Sequence, residues 1–145
     1  MSENADYRKG RDHLKSVRVF DLRLKRLISK KRALEQSLYP GAIKYDLEKV
    51  QSSKEDKYPE IIAEINRLEN LIDGIIKARF KKIQEISKDI DSLYDEDEKT
   101  VLTYYFVEHK SVTEISNDLG YSDQGIYGIM RRGCINISKE IERKC

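Results

Sequence analysis

A long apolar stripe between residues 58 and 93 constrains this 145-residue chain more than any other feature. The stripe repeats at spacings of three and four, which places its members on one face of an α-helix. At roughly 54 Å, this helix would form a coiled-coil-like seam, with Pro59 in its first turn. A lone helix cannot bury such a stripe, so it must pair with an earlier helix, a second copy of itself, or both. The stripe consists of Ile65, Leu68, Ile72, Ile75, Arg79, Ile83, Ile86, Ile90 and Leu93.

Residues 12–38 predict a second long helix, with apolar positions at the same spacing and Lys or Arg on its other faces. Pro40 and Gly41 predict its end at 39–41. Residues 41–57 read as a connection, with a loop at 51–54. Gly74 lies inside the 58–93 helix, where the close approach of another helix would account for a glycine. The apolar positions of the 12–38 helix are Val17, Phe20, Leu24, Leu27, Leu34 and Leu38.

After residue 94 the pattern changes to short helices with recognisable caps. Asp95 with Glu98, and the segment SVTE at 111–114, are capping-box patterns. Gly120 predicts a turn with positive φ, and Ser122 predicts the cap of a last helix. The chain is therefore predicted to be all-α. A long helical hairpin or coiled coil over 1–93 would carry oligomerisation or docking, and a three-helix helix-turn-helix module would occupy 94–145.

Composition and motifs exclude several classes of function. No run of about 18 apolar residues exists, and the N-terminus lacks an apolar signal core, so we expect a cytoplasmic protein that does not enter membranes. No Gly-x-Ser-x-Gly turn and no glycine-rich phosphate loop occurs, so we expect no enzyme and no cofactor. Metal ligands with paired spacing are absent as well. The scattered candidates for such ligands are His13, His109, Cys134 and Cys145.

Charge is unevenly distributed although the net charge is only +2. Residues 1–32 carry eleven Lys or Arg against four Asp or Glu, whereas residues 94–145 carry seven against ten. The basic segment either meets phosphate or forms an ordinary solvated helix face. The acidic run Asp95–Glu98 is interpreted as a helix start favoured by the helix dipole.

The C-terminal third resembles a known family. The segment EKTVLTYYF at 98–106, the segment SVTEISNDLGYS at 111–122 and Ile126 resemble region 4 of bacterial sigma factors. They are still more similar to phage regulators of the ArpU/RinA type, which activate phage late operons. This resemblance covers residues 90–141. It implies a DNA-binding transcription regulator whose C-terminal module reads a promoter in double-stranded DNA or contacts RNA polymerase.

The resemblance places the sequence-reading helix at 122–137. Gln124 would pair with adenine, and Arg131 with guanine or phosphate. Asp123 would either cap the helix or accept a hydrogen bond from a cytosine amino group. Ile126, Met130 and Ile137 would form the buried face. The full set of predicted DNA-binding residues is Ser122, Asp123, Gln124, Tyr127, Arg131 and Arg132.

Three functions compete at this point. The first is a regulator encoded by a phage or mobile element, which acts as a homodimer on late-type promoters. The second is a sigma mimic or adaptor that binds RNA polymerase or another protein without reading DNA, as the acidic C-terminal third favours. The third is a phage small terminase, although such proteins usually place the DNA-binding module first. A simple three-helix packing domain that touches no nucleic acid is the structural alternative.

Overall fold

The computed structural model describes residues 2–38 and 47–144, with side chains at 2–38 and 57–144. Every regular element in these ranges is helical, so the predicted all-α class is confirmed. None of the helices described carries an apolar stretch that could cross a membrane. The elements are α1 (Glu3–Leu14), α2 (Ser16–Ser37), α3 (Leu47–Asp91), α4 (Glu96–Leu102), a π-helical turn (Thr103–Val107), α5 (Val112–Leu119) and α6 (Asp123–Lys144).

The single helix predicted over 12–38 is wrong at its start, because two helices meet at Lys15. α1 begins near the N-terminus, where the Ser2 side chain accepts a hydrogen bond from the Ala5 amide at 3.3 Å. α2 then ends at Ser37, just before the predicted stop, and residues 39–41 lie outside the described residues. α1 lacks an apolar stripe, so the periodicity that predicted α2 could not predict α1.

α3 is longer than predicted. It begins at Leu47, so the predicted loop at 51–54 is helical and Pro59 lies well inside the helix instead of in its first turn. Proline removes one backbone hydrogen bond and costs about 3 kcal/mol in a helix interior, a cost that a helix of this length tolerates. The predicted connection at 41–46 lies outside the described residues.

The chain divides by packing into two compact units, Phe20–Ala78 and the combination of Met1–Val19 with Arg79–Cys145. The predicted boundary after residue 93 differs from this division and stays a prediction about domain organisation. The difference arises because the end of α3 packs with the helices that follow it. Ile86 and Ile90 are fully buried in the same core as Ile115, Ile126 and Ile137.

Within the Phe20–Ala78 unit, the predicted seam residues Ile65, Leu68 and Ile72 are buried. The ammonium of Lys31 on α2 lies 3.4 Å from the carboxylate of Glu69 on α3. Gly74 was expected to mark close approach of another helix, but a Cβ added there meets no atom within 4 Å. Within the described part of this chain, close approach of another helix therefore does not account for Gly74.

Candidate nucleic-acid interface

Three residues join α5 to α6, and their geometry follows from the sequence. Gly120 has a φ of 75°, in the left-handed region where a side chain would be strained, as its position in the predicted turn required. The Ser122 hydroxyl accepts a hydrogen bond from the Gly125 amide at 3.0 Å and so caps α6. α5 begins with the predicted capping box, in which Ser111 and Glu114 exchange hydrogen bonds.

The first two turns of α6 expose the predicted base-contacting residues. Gln124 and Asp123 are exposed, and Tyr127 has 58% of its surface exposed. The opposite face of α6 is buried as predicted, with Ile126, Met130 and Ile137 in the core. Since Ser122 supplies the cap, the Asp123 carboxylate stays at the surface of the first turn.

Arg131 lies against α1, a helix that the sequence interpretation missed. Its guanidinium donates a hydrogen bond to the Asn4 side-chain oxygen at 2.6 Å and lies 5.2 Å from the centre of the Tyr7 ring. The predicted group Gln124, Tyr127 and Arg131 therefore shares one helix face, but its third member is held by α1.

Arg132 points to a different neighbour, because consecutive helix residues are about 100° apart. Its Nε lies 4.0 Å from a carboxylate oxygen of Glu98, and its side chain is 61% exposed. Glu98 is buried, and its carboxylate accepts a hydrogen bond from the side-chain amide of Asn136 at 2.8 Å. One carboxylate thus balances part of the charge of Arg132.

Besides Glu98, two further members of the acidic run Asp95–Glu98 form hydrogen bonds within the module. The Tyr121 hydroxyl donates a hydrogen bond to the Asp97 carboxylate at 2.7 Å, and this bond raises the pKa of Tyr121. The Asp95 carboxylate accepts a hydrogen bond from the Glu98 amide at 3.1 Å and caps α4 as predicted. These carboxylates therefore build the module, which explains why an acidic run occurs in it.

The sequence profile of a family described as protein of unknown function (DUF1492) matches residues 41–138, about two thirds of the chain. The chain belongs to the DUF1492 family. No curated protein and no solved structure matches it significantly. The DUF1492 match includes all six predicted DNA-binding residues and excludes α1.

α1 packs on α6 in this DUF1492 protein through a close backbone contact. A Cβ added at Gly10 would lie 1.8 Å from the carbonyl oxygen of Cys134, so only glycine fits there. Burial raises the pKa of the Cys134 thiol to about 12, as expected of a small residue packed in the core. The sequence signals that could have revealed α1 are the Ser2 cap, the acids of its first turn and the bases of its last turn.

A charge cluster around the buried Asp89 also escaped the sequence interpretation. His13 Nε2 lies 2.7 Å from the Asp89 carboxylate, which also accepts a hydrogen bond from Lys144. Burial alone would raise the pKa of Asp89, but the hydrogen bonds from Lys144 and His13 outweigh it and hold that pKa below its usual range.

Potential ligand atoms of His13, Glu85 and Asp89 lie within 4.8 Å of one another. The fold thus brings together groups that are far apart in the sequence. Because of that separation, the sequence predicted no metal site here. Lys144 supplies a cation to Asp89, and the ammonium of Lys82 lies 3.0 Å from the Glu85 carboxylate.

The turn before α5 contains a further feature that no sequence signal predicted. His109 has a φ of 59°, in the left-handed region that non-glycine residues rarely adopt. Its conformation turns the chain between the π-helical turn and α5, after which the Lys110 amide donates a hydrogen bond to the Tyr104 carbonyl at 2.9 Å.

Proposed function

We propose that this DUF1492 protein is a sequence-specific regulator of transcription that binds double-stranded DNA. The observation that carries the proposal is the exposed front of α6, where Gln124 and Tyr127 follow the Gly120 turn. Two helices joined by such a turn are the usual way to place a helix front in a major groove, where amide side chains pair with adenine. The resemblance to ArpU/RinA-type phage regulators supports a phage or mobile-element origin and action on late-type promoters in a bacterial cytoplasm.

The proposal includes a homodimer, since dimeric readers of this kind bind two half-sites. The seam residues no longer argue for it, because a single chain buries Ile65 and Ile72. Support comes instead from exposed apolar side chains of the Phe20–Ala78 unit, which a second copy would cover. Light scattering that finds a monomer at micromolar concentration would contradict the dimer. These side chains are Leu22, Ile28, Ile62, Leu71 and Ile76.

A second candidate function is a sigma mimic or adaptor that binds RNA polymerase without reading DNA. The observation that favours it is Arg131, whose guanidinium is engaged by Asn4 and Tyr7 and so is less available to a base. The acidic residues around α4 and α5 also favour a protein partner, because their negative charge repels the phosphates of DNA.

A genome-wide pull-down of crosslinked DNA, with co-purified proteins identified from the same sample, separates the two functions. The matched control is the double variant Gln124→Ala/Tyr127→Ala, which changes two exposed side chains and no core residue. Discrete DNA sites enriched by the natural chain and lost in the variant support the regulator. RNA polymerase recovered equally by both chains without discrete sites supports the adaptor, and recovery of neither contradicts both proposals.

A further inference from the structure

A groove of about 370 Å³ lies where the α1–α2 junction meets the π-helical turn and the start of α5. Lys15 and Arg18 contribute from the junction, Tyr105 from the π-helical turn, and Lys110, Ser111 and Glu114 from the start of α5. All of these residues belong to the same compact unit. The groove is therefore lined both by the basic N-terminal segment and by the first helix of the α5–α6 pair.

The charge inside this groove is predominantly positive. Lys15 and Arg18 are exposed, and neither side chain forms an ion pair with any residue in the described part of the chain. Glu114 is the one carboxylate among the described residues that line the groove, and it is engaged by the Ser111 amide in the capping box. Two cations are thus left for an external anion.

Lys110 has a different role at the groove edge. Its ammonium pairs with the Asp118 carboxylate at 3.3 Å and lies 4.0 Å from the centre of the Tyr104 ring. These contacts fix the side chain, and the hydrogen bond to Asp118 raises the pKa of Lys110. Lys110 therefore shapes the groove, whereas Lys15 and Arg18 supply its available charge.

Docking geometry indicates which anion fits. When the second helix of a helix-turn-helix pair enters the major groove, the first helix crosses the sugar–phosphate backbone. The start of α5 also carries the partial positive charge of a helix N-terminus. A groove at this point would therefore meet a backbone phosphate of the same duplex that α6 contacts.

We propose that Lys15 and Arg18 bind a DNA backbone phosphate in this groove, an inference that rests on the proposed DNA-binding function. Both residues lie outside the 41–138 segment that matches the DUF1492 family. The N-terminal segment then adds affinity that is independent of sequence, and α6 adds discrimination between sequences.

The test compares the full chain with the double variant Lys15→Ala/Arg18→Ala in fluorescence anisotropy titrations on a random-sequence duplex at several salt concentrations. Each phosphate contact contributes about 0.9 to the slope of log affinity against log salt. Because both cations neutralise the same phosphate, loss of this contact should lower the magnitude of the slope by about 0.9 and weaken binding to every duplex alike. The matched control, Lys81→Ala/Lys88→Ala, removes the same charge from two exposed positions of α3 that do not line the groove.

The outcomes separate the inference from the function on which it rests. A reduced slope in the groove variant with an unchanged control supports the inference. If the natural chain binds the duplex and both variants behave like it, the inference is overturned and DNA binding stands. An equal loss in both variants assigns the effect to net charge and overturns the inference too. If the natural chain binds no duplex at low salt, the inference falls together with the proposed function.

A competition arm identifies the source of the phosphate. Inorganic phosphate at constant ionic strength should displace the duplex only weakly, because a backbone phosphate is held by the rest of the interface. Binding of millimolar inorganic phosphate by the natural chain that the groove variant loses, with no change in the variant's salt slope on the duplex, would identify a free-anion pocket and overturn the inference.

Discussion

Arg131 and Arg132 are adjacent in the sequence but have different surroundings. The first guanidinium is held between Asn4 and Tyr7 of α1, and the second faces Glu98. Gln124 is exposed and forms no hydrogen bond with another side chain in the described part of the chain. At the scale of single residues, α6 therefore exposes the Gln124 amide and the Tyr127 phenol to a binding partner. Its basic residues Arg131 and Arg132 are partly engaged by other residues of the protein.

Replacement of Gln124 by Ala should weaken binding to a specific duplex by about 1–3 kcal/mol and change binding to random DNA little. The variant loses hydrogen bonds to a base edge but keeps its electrostatic contacts with phosphate. Anisotropy titrations on a selected duplex and a random duplex measure both effects, with Gln84→Ala as a control at an exposed amide of α3. Equal losses on both duplexes would show that Gln124 does not read bases.

Asp89 should make the free energy of unfolding depend on pH in the acidic range. Its pKa in the folded chain lies below the unfolded value near 4, so its contribution is present above about pH 4 and is lost as the pH falls through the folded pKa. Asp89→Asn should lower the free energy of unfolding at pH 7 by about 1–3 kcal/mol and flatten the pH dependence below about pH 4.

Urea unfolding followed by circular dichroism at pH 7, 5 and 3 measures this dependence. Asp91→Asn, at an exposed position of the same helix, is the matched control and should retain the natural pH profile. Parallel stability curves for Asp89→Asn and the natural chain would contradict a role for the cluster with His13 and Lys144.

At the scale of helices, the contact of α1 with α6 distinguishes this module from three short helices alone. It combines the close approach at Gly10 with polar contacts of α6 at the start and in the middle of α1. The Asn4 side-chain oxygen accepts a hydrogen bond from the Arg131 guanidinium, and Lys9 Nζ lies 3.4 Å from a carboxylate oxygen of Glu142. α1 therefore forms part of the surface beside the front of α6, and loosening α1 should also release Arg131.

Gly10→Ala should separate α1 from α6, because the added methyl group would collide with backbone atoms of Cys134. Overpacking of this kind costs about 1–3 kcal/mol of stability. Gly74→Ala is the matched control and should stabilise the chain by up to about 1 kcal/mol, since its Cβ meets no neighbour and alanine favours helix. Thermal and urea unfolding of the two variants test the difference, and changes of the same sign would contradict it.

At the scale of the molecule, one chain buries most of the apolar stripe of α3. Ile65, Leu68 and Ile72 are buried in one compact unit, and Ile86 and Ile90 in the other. The stripe therefore organises folding of the chain itself. Any contact between two copies must use side chains that are still exposed, such as Ile62 and Leu71.

The double variant Ile72→Lys/Ile83→Lys should therefore unfold the chain instead of releasing folded monomers. Loss of the buried Ile72 side chain alone costs about 2–5 kcal/mol, and an uncompensated charge adds to that cost. Ile62→Lys, at a position that is 50% exposed, should keep its helical signal. Circular dichroism and light scattering on the same samples distinguish the cases, and a well-folded monomer of the double variant would contradict this prediction.

Local signals in the sequence determined the all-α class, the presence of a long helix through 58–91, the caps at Asp95, Ser111 and Ser122, and the left-handed Gly120. They also determined which face of α6 is buried. These features depend on helical periodicity and on hydrogen bonds within a few residues, so a single segment contains all the necessary information.

Only the tertiary structure decided which distant groups meet. α1 has little apolar periodicity, and its position depends on the fit of Gly10 against Cys134 and on Asn4 with Arg131. His13 and Asp89 are likewise far apart in the sequence, and their contact exists because α1 packs near the end of α3. Such pairings depend on the free energy of packing whole helices together, which no short pattern in the chain records.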